Sequence, residues 1–249
     1  RAWQDRNPPP AFSLLHRAVC QSCAPANQPP KPSATMSVRR LPVYILADCS
    51  GSMTGNPIES VKSGIRALHS ELMGDPSAVE CAYLSVITFD ANAQQIVPLT
   101  ELSQFVPPDL KAAGTTAFGA ALKLLMECVD REVQKTTPEQ KGDWKPLIFI
   151  FTDGSPTDRW DNFADELKAK RPGNIIAVAC GDAAEPEILK RVTGTVLIMK
   201  DMSPDAFKQF FKWVSASIKQ TSAKIGAAPA APTEGVALPP PPPEIIIHP

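Results

Sequence analysis

Residues 41–53 read LPVYILADCSGSM and decide the fold, because an apolar run passes directly into a polar loop. The apolar part, residues 41–47, is short and rich in residues that favour β structure, which predicts a buried strand. The loop that follows places Asp48, Ser50 and Ser52 at alternate positions, with a glycine that eases a tight turn. The pattern therefore predicts a buried strand whose carboxyl end carries a cluster of oxygen atoms.

Outward from this strand, helical and extended patterns alternate along the chain. The strands are continuously apolar, which is typical of a parallel sheet covered on both faces. The strand at 95–99 should pair with its predecessor as an antiparallel edge strand, because Pro98 cannot donate to a ladder. We therefore expect an α/β fold: a doubly wound, mostly parallel, Rossmann-like central sheet with one antiparallel edge strand and helices on both faces. Helices are predicted at 57–73, 117–133, 160–170, 186–192 and 204–218, and further strands at 79–89, 146–151, 174–179 and 195–199.

Length and composition fit one large domain. The chain has 249 residues, of which 43% are hydrophobic, enough for a sizeable core. Lysine and arginine number 25 against 26 acidic residues, so the net charge of -1 gives no argument for a nucleic-acid or membrane-surface partner. No apolar run approaches the roughly 20 residues that span a bilayer. We therefore expect no nucleic-acid partner and no membrane span.

The prolines divide the chain into three parts. Of 27 prolines, seven lie in residues 1–35 and eight in residues 221–249. We expect residues 1–37 to be a disordered or non-native N-terminal extension, residues 38–220 to be one globular domain, and residues 221–249 to be a Pro-rich disordered tail.

Five consecutive prolines, Pro239–Pro243, favour a polyproline II rod that could dock a partner or serve as a linker. Met36 stands just before the structured pattern, and we expect it to be the natural start of the protein.

The cysteines indicate a reducing compartment rather than a disulfide framework. Cys20 and Cys23 form a CxxC, but no second ligand pair follows, so a structural zinc site is not favoured. The other four lie in apolar stretches, and we expect them to be reduced core residues: Cys49, Cys81, Cys128 and Cys180.

Polar residues follow two predicted strands and open one helix. DCSGS at 48–52 follows the first strand, TDGS at 152–155 follows another, and GTT at 114–116 opens the second helix. In such sheets ligands bind beyond the carboxyl ends of the strands. Two carboxylates and three hydroxyls at that edge suit a hard divalent cation, and the lack of a His or Cys set disfavours zinc or copper. A helix cap or turn is the alternative interpretation of the DxSxS pattern alone.

The stretches DCSGSM, GTTAFGAAL and FTDG resemble the metal-ion-dependent adhesion site (MIDAS) of von Willebrand factor A (VWA) domains, over roughly residues 38–220. The family pattern GGTxxGAAL aligns with residues 114–122 when its final leucine is placed at Leu122. This alignment assigns the threonine of the pattern to Thr116 and places Thr115 where glycine is usual. The resemblance implies that serine and threonine hydroxyls coordinate the ion directly, that aspartates act through water, and that a ligand carboxylate completes the shell. We expect Mg²⁺, with Mn²⁺ or Ca²⁺ as alternatives, and the implied metal-site residues are Asp48, Ser50, Ser52, Thr116 and Asp153.

A second resemblance extends beyond the metal site. RRLPVYILADCSGSM, AYLSVITFD, IVPLTEL and LPPPPPEI are similar to segments of TerY-type proteins of bacterial tellurium-resistance clusters. Such proteins accompany a protein kinase and a PP2C-type phosphatase. The resemblance implies a cytoplasmic partner-binding module in a phosphorylation or stress system, with the kinase or phosphatase as a candidate partner that supplies an Asp or Glu.

We therefore expect a non-enzymatic, metal-dependent protein-binding module. One alternative is a Mg²⁺-dependent phosphohydrolase with Asp48 as nucleophile and Asp153 on the ion, although Ser50 replaces the second aspartate of DxDx[TV]. Nucleotide binding is disfavoured because no glycine stretch fits GxxxxGK[ST] or GxGxxG. A third alternative is an adaptor that acts only through the tail, residues 221–249. We expect Asp158 to be a solvated charge at a helix N-terminus.

Overall fold

Strands and helices alternate in the computed structural model, which describes residues 39–181, 184–227, 239–241 and 245–248. The strands are β1 (Leu41–Asp48), β2 (Ala82–Phe89), β3 (Ala93–Glu101), β4 (Leu147–Thr152), β5 (Asn174–Cys180), β6 (Val196–Met199) and β7 (Ile245–His248). The helices are α1 (Asn56–Met73), α2 (Pro76–Cys81), α3 (Phe118–Glu132), α4 (Asp161–Lys170), α5 (Pro186–Val192) and α6 (Pro204–Ala227). The expectations for the N-terminal extension, for Met36 and for the Cys20 and Cys23 pair lie outside the described residues.

One seven-stranded sheet has the order β3-β2-β1-β4-β5-β6-β7. The five inner strands run parallel, and β3 and β7 are antiparallel strands at the two edges. β1 lies at the centre, and all eight of its residues are buried, which explains its continuous apolar sequence. The predicted doubly wound, mostly parallel sheet is confirmed, and the structure adds a second antiparallel edge.

The two faces of the sheet bury separate cores. Val43 and Ile45 of β1 face the core formed with α1 and α6, whereas Tyr44 and Leu46 face the core formed with α3, α4 and α5. This alternation follows from the two-residue repeat of a strand. Because each fully buried Leu or Ile contributes about 1.5–3 kcal/mol, β1 is fixed in register from both sides.

The end of the chain differs from the expected disordered tail. α6 continues to Ala227, beyond the predicted limit, and residues 245–248 pair with β6. Trp213 also donates its indole N–H to the carbonyl oxygen of Pro239 at 2.9 Å. The prediction of disorder from residue 221 is therefore wrong for these pieces, because a triple isoleucine favours a strand and the β6 edge offers unpaired backbone groups.

The predicted strand at 79–89 is too long at its start. Its first three residues belong to α2, where the Asp75 carboxylate accepts from the Ala78 N–H at 3.1 Å and Pro76 occupies the first turn. An aspartate cap followed by proline is a helix-start signal. That local signal overrides the β-favouring residues that follow it.

The four cysteines in the described part of the chain, Cys49, Cys81, Cys128 and Cys180, are buried and unpaired. Their prediction as free core residues is therefore confirmed. Burial raises the pKa of the Cys49 thiol to about 12, which makes this thiol unreactive.

The helices of the described residues include none that is both long and apolar enough to cross a membrane. The longest, α6, has 24 residues and buries Phe207, Phe210 and Phe211 against the sheet.

The contact between α1 and α6 allows a direct test of the packing. A Cβ atom added at Gly64 of α1 would lie 2.0 Å from Cδ2 of Phe211. We expect Gly64→Val to lower the free energy of unfolding by about 1–3 kcal/mol through overpacking, measured by urea denaturation.

The matched control is Gly194→Val, because a Cβ atom at Gly194 meets no atom within 4 Å. The urea concentration at which this variant is half unfolded should stay close to that of the wild type. Equal midpoints for the two variants would show that α1 and α6 do not pack as described.

Candidate metal centre

Parallel pairing of β1 with β4 brings the two predicted aspartates to one edge of the sheet. Ala47 is paired with Phe151, so the next residues, Asp48 and Thr152, end their strands side by side. Asp153 follows directly. The Ser52 hydroxyl donates to Oδ1 of Asp153 at 2.8 Å, which joins the two loops.

The loop after β1 turns its serine hydroxyls toward this edge. The Ser50 N–H donates to Oδ1 of Asp48 at 2.8 Å, a local turn that aspartate favours. The Ser50 and Ser52 Oγ atoms then lie 3.0 Å apart. A 3₁₀ turn at Gly51–Met53 with buried Met53 anchors the loop. The residues of the DxSxS pattern thus form a local cluster of oxygen atoms.

Backbone contacts hold the third loop against the first. Gly51 donates its N–H to the carbonyl oxygen of Gly114 at 3.1 Å. Gly114 has φ of 74°, a left-handed conformation that glycine adopts most readily. A Cβ atom at Gly51 would lie 3.3 Å from the same carbonyl oxygen, so the two loops approach closely. This contact positions the loop that carries Thr116.

The Thr116 hydroxyl faces the same space as Ser52. A Cβ atom added at Gly154 would lie 3.6 Å from Oγ1 of Thr116 and 4.0 Å from Oγ of Ser52. Gly154 follows Asp153 directly. All five predicted site residues therefore lie around the carboxyl ends of β1 and β4 and the start of α3, as the resemblance implied.

The structure adds two supporting threonines, Thr152 and Thr157, that the sequence motifs do not assign to the site. The Thr152 hydroxyl donates to Oδ2 of Asp48 at 2.6 Å. The Thr116 N–H donates to Oγ1 of Thr157 at 3.1 Å, and the Thr157 N–H donates back to the Thr116 carbonyl oxygen at 2.9 Å. These bonds orient one aspartate and fix the threonine loop.

Asp158 caps α3 rather than its own helix, α4. Its two carboxylate oxygens accept from the N–H groups of Gly119 and Ala120, each at 2.9 Å. The expectation of a solvated charge is wrong at this position, because the side chain satisfies backbone donors of another helix. Asp158 and Thr157 together join the Asp153 loop to the Thr116 loop. Neither residue belongs to a recognised motif, so the sequence alone does not predict this role.

The two aspartates are buried without a positive partner. Asp48 is 0% exposed and Asp153 is 8% exposed. Burial raises the pKa of both carboxyls, and hydrogen bonds from Ser50, Thr152 and Ser52 only partly oppose it. In the described part of the chain, neither carboxylate forms an ion pair with Lys or Arg. The site therefore has a deficit of positive charge.

A divalent cation would supply the missing positive charge, and the oxygen atoms of the site suit it as ligands. The clustered donors are carboxylate and hydroxyl oxygens, the ligands of a hard cation. No group of three or more His, Cys, Asp or Glu residues within the described ranges could hold a metal by itself, so the hydroxyls are an essential part of the set. The residues that would hold the ion are Asp48, Ser50, Ser52, Thr116 and Asp153.

The profile of the von Willebrand factor type A domain family matches residues 43–213, so the chain belongs to this family. Fold and family together define a metal site of the MIDAS type, at which VWA domains bind a divalent ion.

Three solved structures share the fold. A von Willebrand factor type A protein from Catenulispora acidiphila has a TM-score of 0.56 and 19% identity, covering 73% of this chain and 43% of that one. Proximal thread matrix protein 1 from the mussel byssus, with a zinc-occupied MIDAS motif, has a TM-score of 0.52 and 18% identity, covering 72% and 48%. The open pilus adhesin SpaC of Lactobacillus rhamnosus GG has a TM-score of 0.59 and 14% identity, covering 74% and 30%.

An uncharacterised protein of Synechocystis sp. is 33% identical over 123 residues, which are 47% of this chain and 26% of that protein. The chain thus spans less than half the length of each of these relatives. The similarity to TerY-type proteins stays a prediction.

Because the site lacks positive charge, we expect the substitution Asp153→Asn to affect the free energy of unfolding differently with and without Mg²⁺. Asp153→Asn removes a desolvated charge, so in metal-free buffer its free energy of unfolding should equal or exceed that of the wild type. At 100 times the dissociation constant, Mg²⁺ should stabilise the wild type by about 2.7 kcal/mol and the variant far less. Urea denaturation with and without MgCl₂ measures both effects.

Asp165→Asn is the matched control, because Asp165 lies on α4, is 65% exposed and is neither a site residue nor a supporting residue. It removes a surface ion pair with Arg191, should change the free energy of unfolding by at most about 1 kcal/mol in both buffers, and keeps the Mg²⁺ increment. An unchanged increment in Asp153→Asn would contradict the assignment of that carboxylate to the site.

Proposed function

We propose that this VWA domain is a non-enzymatic, Mg²⁺-dependent module that binds an Asp or Glu side chain of a partner protein. The observation that carries the proposal is the pair of buried, uncompensated carboxylates beside three hydroxyl groups, of which the Ser52 hydroxyl belongs to an exposed residue. Asp48 is fully buried at the floor, whereas Ser52 and Thr115 are exposed. Ser52 therefore connects the buried carboxylates with the solvent, because its hydroxyl donates to Oδ1 of Asp153.

The chain's own residues make binding conditional on the cation. A partner carboxylate that enters alone would be the third negative charge beside Asp48 and Asp153, and it would be repelled. A bound divalent ion supplies the positive charge that such a carboxylate needs. The Ser50, Ser52 and Thr116 hydroxyls contribute oxygen atoms without adding negative charge, which leaves the ion able to attract a further anionic ligand.

The position of Asp48 supports a binding role over a phosphohydrolase. A phosphoryl-accepting carboxylate must present a free oxygen to its substrate. Here Oδ1 accepts from the Ser50 N–H and Oδ2 accepts from the Thr152 hydroxyl, and the residue is 0% exposed. The side chain is thus held as a fixed part of the floor of the site.

The biological setting of the proposal rests on the sequence resemblance to TerY-type proteins. We propose a cytoplasmic role in a bacterial tellurium-resistance or stress-response phosphorylation system. The partner would then be a kinase or a PP2C-type phosphatase of that system, which presents an acidic side chain to the metal. The MIDAS-type site is the part of the chain that would recognise it.

Affinity capture tests the proposed function. The immobilised wild-type chain should retain the kinase or the phosphatase in MgCl₂ and release it in EDTA, and Asp48→Asn should fail to retain it in either buffer. Asp165→Asn, which changes an exposed carboxylate of α4 and keeps all five proposed ligands, should retain the partner in MgCl₂ as the wild type does. Far-ultraviolet circular dichroism checks that each variant is folded.

A variant that ends at residue 238 separates the metal site from the tail. It lacks the Pro239 contact and β7, and it should still capture the partner in a Mg²⁺-dependent way. Capture that survives both EDTA and Asp48→Asn but is lost on truncation would move the function to the tail.

A further inference from the structure

An open cavity of about 370 Å³ lies at the amino edge of the sheet, opposite the metal centre. It is lined by the end of α4, the start of β5 and the loop before β6. Lys145, which lines the cavity, precedes β4, whereas Asp153 follows that strand. A six-residue strand extends about 20 Å, so the cavity and the metal centre are separate sites.

Three cationic side chains line this cavity: Lys145, Lys168 and Arg171. The lining includes no Asp or Glu. Within the part of the chain that the structure describes, none of the three forms an ion pair. Lys170, next to Arg171, by contrast pairs with Glu166 at 3.0 Å. The cavity therefore has an uncompensated positive charge.

The cavity also offers neutral hydrogen-bond donors. The side chains of Asn174 and Thr195 line it and make no hydrogen bond to another described residue. The neighbouring Thr193 hydroxyl, by contrast, is used within the fold, since it donates to the Ile175 carbonyl oxygen at 2.7 Å. Asn174 and Thr195 come from different segments, so the donors surround the cavity.

The backbone at Arg171 is held in a conformation that arginine disfavours. Arg171 follows α4 with φ of 47° and ψ of 56°, and it is the one non-glycine residue with positive φ among those described. Glycine is the usual residue at this position after a helix. A strained residue that carries a functional group suggests that the group is retained for its own chemistry.

We propose that this cavity binds a phosphate monoester group. Such a group is a dianion with several acceptor oxygens, and it matches three cations together with neutral donors. A guanidinium can bind two of its oxygens at once, which explains the arginine at a position suited to glycine. The site does not depend on the metal centre or on the function proposed for it.

The electrostatics of α4 alone do not explain the cluster. Cations near a helix C-terminus compensate the helix dipole, and this effect accounts for Lys168 and Arg171 individually. Lys145 belongs to the segment before β4, however, and adds its charge from another side. An anion in the cavity would be attracted by all three.

Two variants test the site without damage to the fold. Arg171→Gly removes the guanidinium and relieves the left-handed strain, so its thermal midpoint should rise by about 2–4 °C while phosphate binding weakens roughly tenfold or more. Gly194→Asp places a carboxylate in open space, since a Cβ atom there meets nothing within 4 Å, and it should abolish binding. Gly194→Asn is its neutral partner and should bind within about threefold of the wild type.

Nuclear magnetic resonance of the ¹⁵N-labelled full chain, without divalent metal, measures binding. Inorganic phosphate should cause saturable shifts of the Gly173, Gly194 and Thr195 amides at constant ionic strength. Lys208→Ala, which removes an exposed cation from α6, should leave the affinity unchanged. Shifts that do not saturate, or equal affinity in wild type, Arg171→Gly and Gly194→Asp, would overturn the proposal.

The same titration distinguishes two sources of the phosphate group. A short peptide with a central phosphoserine that binds more tightly than inorganic phosphate, while its unphosphorylated form does not bind, indicates a phosphoprotein ligand. Tighter binding of inorganic phosphate or of free phosphoserine indicates a small phosphate monoester. Equal binding of the phosphorylated and unphosphorylated peptides would overturn the assignment of phosphate as the recognised group.

Discussion

The parallel pairing of β1 with β4 is the interaction that builds the metal site. It places Asp48 and Asp153 at one edge of the sheet and buries both, and no described cation compensates them. A buried carboxylate without a positive partner is energetically unfavourable. The folded chain is therefore stabilised when a cation binds beside Asp48 and Asp153. The hydroxyls and supporting hydrogen bonds around that point orient the aspartates without neutralising them.

The two edges of the sheet have opposite electrostatic character. The carboxyl edge concentrates negative charge and oxygen ligands around Asp48, whereas the amino edge collects three unpaired cations around the cavity at Arg171. β4 connects them, since Lys145 precedes it and Asp153 follows it. One domain can thus hold a cation at one edge and an anion at the other, without contact between the two sites.

Sequence patterns predicted most of the fold because they report burial directly. The continuous apolar run at 41–47 required a central parallel strand, and the oxygen-bearing motifs at the ends of strands indicated the edge where a metal site lies. The supporting residues Thr157 and Asp158 could not be predicted, because their roles arise from contacts between loops far apart in the chain. The pairing of β7 with β6 could not be predicted, because the high proline content of residues 221–249 favours a disordered chain.

Crystals of the chain soaked in MnCl₂ would show whether a divalent ion binds at the carboxyl edge of the sheet. Anomalous scattering locates manganese independently of any interpretation of the fold. We expect one strong anomalous peak at the carboxyl edge, within about 2.0–2.4 Å of the hydroxyl oxygens of Ser50, Ser52 and Thr116. No peak at that edge, with Asp48 and Asp153 ordered as described, would contradict a metal-dependent function for this domain.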